Sequence, residues 1–326
     1  MTADPVLAAP EQGPGAGAGR RRGRGAGPRG RRSMAMRDAR FGLALISPTV
    51  VLVVVLVVLP ILWTVVLAFQ DLRLIQLQSA SLFGDYTLDN FVDVFTSPGF
   101  WSSLTTTLVY ATGGTAAAIG LGLVAALALR RPFRGRTFVR ASLLLPYVAP
   151  VVAATFVWTT MLNPQFGIVN EIGTNLLGWD EPISFLSQRP WALLTVIFFE
   201  MWRSFPFAFL FLTARLEAAP ASLEEAARVD GATPTQIFRH VVLPQLLPTI
   251  AVLALLRFIW TFNNFDDIYL LTGGGAGTEV ISVRVFDFLV SRGDIGAASA
   301  QALVLATVLI VLVTIYYRFA AKEEVA

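Results

Sequence analysis

Hydrophobic and polar positions along this chain segregate into long blocks. Six apolar runs lie at residues 41–69, 101–129, 142–162, 191–212, 249–271 and 297–319, and most of the charge falls between them. A helix crosses a bilayer with about 20 apolar residues, so the blocks predict six transmembrane helices and an all-α polytopic membrane protein. The expected domain plan has three parts. Residues 1–40 form a tail, residues 41–320 form the six-helix domain with a polar loop at 220–248, and residues 321–326 form a short C-terminal tail.

The loop at 220–248, PASLEEAARVDGATPTQIFRHVVLPQLLP, is a charged island between the fourth and fifth runs. Its local signals predict two short helices and a turn. Ser222 with Glu225 reads as a capping box opening the first helix, and Thr233 with Gln236 as one opening the second. Gly231 stands where a helix C-terminus needs a left-handed residue. Pro234 takes a first-turn position, where the missing N–H costs nothing. Ile237, Phe238, Val241 and Val242 share one face at helical spacing, and Pro244 is expected to end the unit.

Composition supports the membrane reading. The chain is 55% hydrophobic and only 14% charged, with a mean hydropathy of +0.65, whereas a soluble domain carries about 25% charged residues. There is no cysteine and a single histidine, His240, which excludes disulfides, thiolate metal sites and His-rich centres. No metal site and no cofactor are expected.

Charge then orients the helices. If the N-terminal tail is cytoplasmic, that side holds 19 basic residues outside the spans and the other holds 4, namely Arg73, Arg189, Arg284 and Arg292. Basic residues concentrate on the cytoplasmic side, so both termini and the 220–248 loop are expected in the cytoplasm. Nine arginines, including Arg20–Arg22, lie in the Gly- and Pro-rich tail. This tail cannot form a core and reads as a disordered segment that helps fix topology; contact with anionic lipid headgroups and nucleic-acid binding compete with that reading, and no nucleic-acid partner is expected. The first run is longer than the h-region of a cleavable signal peptide, about 7–15 residues.

Candidate chemistry is sparse. No G-x-x-x-x-G-K-[ST] loop is present, and Gly273-Gly274-Gly275 has no Lys-Ser/Thr after it. One histidine supports no catalytic triad, so no enzyme is expected. Polar groups inside spans are functional candidates because lipid burial is costly. On a continuous fifth helix, Trp260, Asn263, Asn264 and Asp267 fall on one face with Arg257 nearby. Amides, a carboxylate and an indole suit a hydroxyl-rich solute; an interhelical polar network is the competing reading. In the fourth span, Glu200 and Arg203 are spaced to pair. Small residues of the second span (Gly113, Gly114, Ala117, Ala118, Gly122) predict close helix packing. Pro146 and Pro150 predict a kink or a gate in the third. The segments 71–99 and 163–190 predict short ordered elements around Asn90-Phe91 and Gly167–Asn170.

The 220–248 loop resembles the EAA loop of permease subunits of binding-protein-dependent ABC importers. Glu225-Ala226-Ala227 is followed by Gly231 and then by Val241, Leu243 and Pro244 at the family spacing, with Val241 in place of Ile. The run Asn264–Gly275 is similar to the fifth-span signature of the carbohydrate branch, with Ala276 where proline is usual; Thr106-Thr107 stands where that branch has Asn-Thr. The long tail is similar to that of the first permease of maltose-type or glycerol-phosphate-type systems. The resemblance implies import of a carbohydrate with a second homologous permease, an ATPase dimer and an extracytoplasmic solute-binding protein. It assigns ATPase coupling to Glu225, Ala226, Ala227, Asp230, Gly231, Leu243 and Pro244. An amino-acid or phosphate importer, and an ion-coupled secondary carrier, stand as alternatives.

Overall fold

The computed structural model describes residues 45–323. The Arg-rich stretch 1–40 lies outside the described residues, as do 324–326 of the C-terminal segment. The described residues divide into two units, 45–60 and 61–323. Among the described residues there is no strand, only an isolated bridge between Arg73 and Asp294.

Five helices are long and apolar enough to cross a membrane: α1 (Leu45–Ala68), α3 (Pro98–Ala128), α7 (Trp191–Ala218), α9 (Pro234–Phe262) and α12 (Ile295–Glu323). A bent pair makes a sixth candidate when its two helices are counted as one span. Helix α4 (Arg136–Val148) and helix α5 (Val151–Met161) meet at 96°. The bend has a local cause. Ala149 precedes Pro150 and is extended at ψ 134, as steric conflict with the proline ring requires. Shorter helices decorate the bundle: α2 (Asp89–Thr96), α6 (Ile168–Leu176), α8 (Ala221–Val229), α10 (Asp266–Thr272) and α11 (Ile281–Phe286).

Helices α3 and α7 form the spine of the second unit. Gly113 lies against Ile197, Gly114 against Glu200 and Gly122 against Ala208, so the two helices run parallel in fixed register. A Cβ on Gly122 would stand 2.7 Å from the Ala208 Cβ and 2.9 Å from the Phe209 backbone nitrogen. The small residues of this span therefore serve close backbone approach. Below that contact a core of Ile119, Phe205, Phe209, Leu212, Leu246 and Leu253 is sealed from solvent. Above it Tyr110, Val196, Phe199, Ile268 and Val283 form a second core.

Two asparagines pin the connecting segments. Asn90 of α2 donates to the carbonyls of Ala68 (3.1 Å) and Gln70 (2.9 Å). Asn170 of α6 donates to the Ile183 carbonyl (3.1 Å) and accepts from the Ile183 N–H (2.7 Å). Each buried amide thereby satisfies backbone that no helix or sheet could satisfy.

The fifth span differs from expectation at both ends. Pro244 does not end the hairpin. A π-helical turn at Phe238–Val242 precedes it, and the Leu243 N–H bonds back to the Phe238 carbonyl. The widened turn carries the chain past the proline. Pro244 then lies in the first turn of the α-helical stretch that opens at Leu243, where it displaces no helical bond. The span therefore begins at Pro234. It stops at Phe262, and α10 starts separately at Asp266, so 249–271 is not one helix.

Candidate functional site

Two places concentrate chemistry: the hairpin of α8 with the start of α9, and a buried polar cluster where α9 breaks.

In the hairpin, α8 starts at Ala221 with Pro220 as its N-cap and no side-chain cap. The expected Ser222–Glu225 capping box does not form, because Ser222 already lies inside the first turn. The second box does form. The Thr233 N–H donates to Gln236 Oε1 (2.8 Å), and the Gln236 N–H donates to Thr233 Oγ1 (3.4 Å). Gly231 has φ +80 and open space around its Cα. The N–H of Ala232 bonds back to the Ala227 carbonyl (2.9 Å), closing the helix end. Glu225, Ala226 and Asp230 are exposed, Ala227 is half-buried, and Leu223 (49% exposed) and Val229 (88%) turn their apolar side chains outward. The surface that α8 presents is thus apolar and acidic, with a sharp turn beside it. Leu243 is half-buried and Pro244 exposed farther along.

In the bundle, Glu200 of α7 has 0% exposure. It pairs with Arg257 of α9 and accepts from Thr261 Oγ1 (2.8 Å) and Ser204 Oγ (3.1 Å). Arg203, one turn along α7, pairs with Glu200 at 3.9 Å, as the spacing predicts, and more closely with Asp267 of α10 at 3.0 Å. The Glu200–Arg203 pair is thus joined by two closer interhelical pairs. Asp267 is also fully buried; it accepts from Asn264 Nδ2 (3.1 Å) and from the Tyr110 hydroxyl (3.5 Å). Asn264 Oδ1 in turn accepts from the Asp267 N–H (3.2 Å). This contact explains the break. An asparagine side chain offers the backbone a local partner in place of the helical carbonyl, and here it opens α10.

The break separates the four residues expected on one face. Asn264 and Asp267 join the buried cluster. Trp260 is half-exposed, with its ring 5.3 Å from Phe207 and the Arg257 guanidinium 5.8 Å above it. Asn263 is exposed, and its amide donates to the Ile259 carbonyl (2.8 Å). Ser204, Thr261 and Tyr110 belong to the cluster although no motif marks them. The signal available in the sequence was charge balance: two acids and two arginines in adjacent spans, each too costly to bury alone. Tyr147 extends the exposed aromatic face, with its ring 6.0 Å from Phe207.

Comparison with known proteins places this architecture. The family described as "Binding-protein-dependent transport system inner membrane component" matches residues 118–323. The inner membrane ABC transporter permease protein YcjO of Escherichia coli K12 is 35% identical over 269 residues, 82% of this chain and 90% of that protein. The trehalose/maltose transport system permease protein MalF of Thermococcus litoralis is 33% identical over 284 residues, 86% of this chain and 93% of that protein. In fold, the chain is similar to one in a bacterial alginate ABC transporter solved with a pentasaccharide-bound periplasmic protein. The TM-score is 0.77 at 23% identity, over 89% of this chain and 97% of that one.

Proposed function

The chain belongs to the family of binding-protein-dependent transport system inner membrane components, and from that premise we propose that it is the permease subunit of an ATP-driven carbohydrate importer. The observation that carries the reading is the hairpin: α8 displays Leu223, Glu225, Ala226 and Val229 away from its own subunit. A short helix with an unpartnered apolar face, held between two spans, is built to enter a groove on another protein. We assign that groove to a separate ATPase subunit, since the chain has no nucleotide-binding loop of its own. Support for a carbohydrate comes from the trehalose/maltose relative and from the exposed aromatic face.

In this reading both termini and the hairpin are cytoplasmic, in the plasma membrane of a bacterium. A second homologous permease completes the pathway, and a solute-binding protein delivers cargo from outside. Closure of the ATPase dimer on ATP draws the two coupling helices together, and the spans switch between inward-open and outward-open states. Glu225 meets a basic group of the ATPase, Ala226 and Ala227 let the surfaces approach, and Asp230 and Gly231 shape the turn. Leu243 and Pro244, within α9, carry the motion along it. Trp260 and Asn263 face the solute. Asn264 and Asp267 hold the break that positions them.

The experiment is uptake into membrane vesicles of radiolabelled trehalose, maltose and sn-glycerol 3-phosphate, with the binding protein present. ATP inside the vesicle is expected to drive uptake of at least one, and removal of the ATPase to abolish it. Uptake driven by an ion gradient without the ATPase would overturn the importer reading. Uptake of an amino acid or phosphate in place of all three would overturn the carbohydrate assignment.

A further inference from the structure

The arginines at 130–140 do more than mark the cytoplasmic side. In the fold, three of them bind the ends of other helices. Arg136 Nε donates to the Leu129 carbonyl at the C-terminus of α3 (2.7 Å). Arg136 and Arg140 reach Glu217 in the last turn of α7 at 3.3 and 2.9 Å. Arg130 pairs with Glu224 of α8.

Glu224 is an unusual residue for its helix. It is the one buried residue of α8, at 8% exposure, while Leu223 and Val229 point away. An amphipathic helix docked on a bundle normally buries its apolar side chains; here a buried acid joins the half-buried Ala227 in making the attachment. Arg228, one turn on, closes the other side of the carboxylate at 3.3 Å. The Glu224 side chain is 10% exposed and that of Arg130 31%, so loss of Arg130 leaves a largely buried carboxylate held only by the exposed Arg228.

From this placement we infer that Glu224 is a positioning residue: with Arg130 it locks α8 to the end of α3, so that α8 and the α3–α7 spine move as one body. The inference rests on α8 being the coupling helix. It separates the adjacent acids by role. Glu225, exposed, is left free for the ATPase, and Glu224 transmits the displacement to the permease's own frame. The ATPase stroke thereby enters the bundle through α3 as well as along α9.

The chain has no cysteine, so Val124→Cys in α3 and Ala221→Cys in α8, both exposed and outside the proposed docking surface, give a clean spin-label pair. The complex is recovered through a tag on this chain, and label distances are measured without nucleotide and with ATP plus vanadate. The expected wild-type result is one narrow distance in both states. Glu224→Gln and Arg130→Gln should each widen the distribution about twofold, and the double variant should be no wider than either, as one shared interaction requires. A wild-type distance that shifts between the two states would overturn the proposal. So would a narrow distribution in Glu224→Gln, or effects that add in the double variant. Failure of the coupling reading itself appears elsewhere: Glu225→Arg would then leave recovery of the ATPase with the tagged chain unchanged.

Discussion

Glu200 has no contact with solvent and four polar neighbours, Arg257, Ser204, Thr261 and Arg203. Such an acid is stable only while its pairing is complete. Glu200→Gln leaves the Arg257 guanidinium buried without a counter-charge, and the expected cost is about 3–5 kcal/mol. Glu200→Gln combined with Arg257→Met removes both charges and should recover most of it. Thermal unfolding of the detergent-purified protein distinguishes the two. The same logic separates Asn263 from Asp267. Asn263→Ala removes an exposed amide and should lower uptake while leaving the midpoint of unfolding in place. Asp267→Ala should lower uptake and stability together, because Arg203 loses its 3.0 Å partner. Equal uptake by wild type and both variants would reduce the α9 break to packing. At this scale the sequence was only half legible. It marked which residues were polar in an apolar context, but pairing across helices depends on the offset of α7 against α9 and α10, which spacing along one helix does not encode.

Among the elements, the close packing of α3 was the most readable, though its partner α7 was not. Gly114 and Gly122 at helical spacing announce a close approach, and the Cβ positions beside Glu200 and Ala208 show how little room remains. Gly122→Ile should cost about 1–3 kcal/mol through overpacking. At Gly120, two residues earlier, no atom lies within 4 Å of where a Cβ would stand, and Gly120→Ala should stabilise the helix by about 0.5–1 kcal/mol. Thermal unfolding of the two variants side by side checks the pair, and equal shifts would place the helix contact elsewhere. The ends of elements were less readable. Pro244 and Asn264 each carry a strong local signal, yet both act through bonds that a residue pattern does not display. The π turn bypasses the proline, and an asparagine side chain substitutes for a carbonyl. The Ser222–Glu225 box failed for a similar reason: Pro220 had already started the helix.

For the whole molecule, block hydropathy and the hairpin motif carried the architecture, since neither depends on side-chain detail. The crossing that pattern alone described least well is the third, where apolar content is continuous through a 96° bend. The hairpin is where the whole molecule can be tested. Gly231 adopts φ +80 with open space about it, so Gly231→Leu incurs backbone strain of about 1–2 kcal/mol and places bulk beside the proposed ATPase-facing surface. Uptake should be lost while the binding protein keeps its affinity for cargo. Transport at the wild-type rate would remove the turn from the coupling path.

The π turn that carries α9 past Pro244 makes one rod of 29 residues from Pro234 to Phe262. At 1.5 Å per residue that rod is about 43 Å long, with the hairpin at one end and the Trp260–Asp267 region at the other. In the proposed coupling this helix, which also carries Pro248 inside it, acts as a crank arm. A swing of only about 5° at the hairpin end corresponds to an arc of about 4 Å at the far end of a rod this long. A hinge at Pro244 would have absorbed that swing.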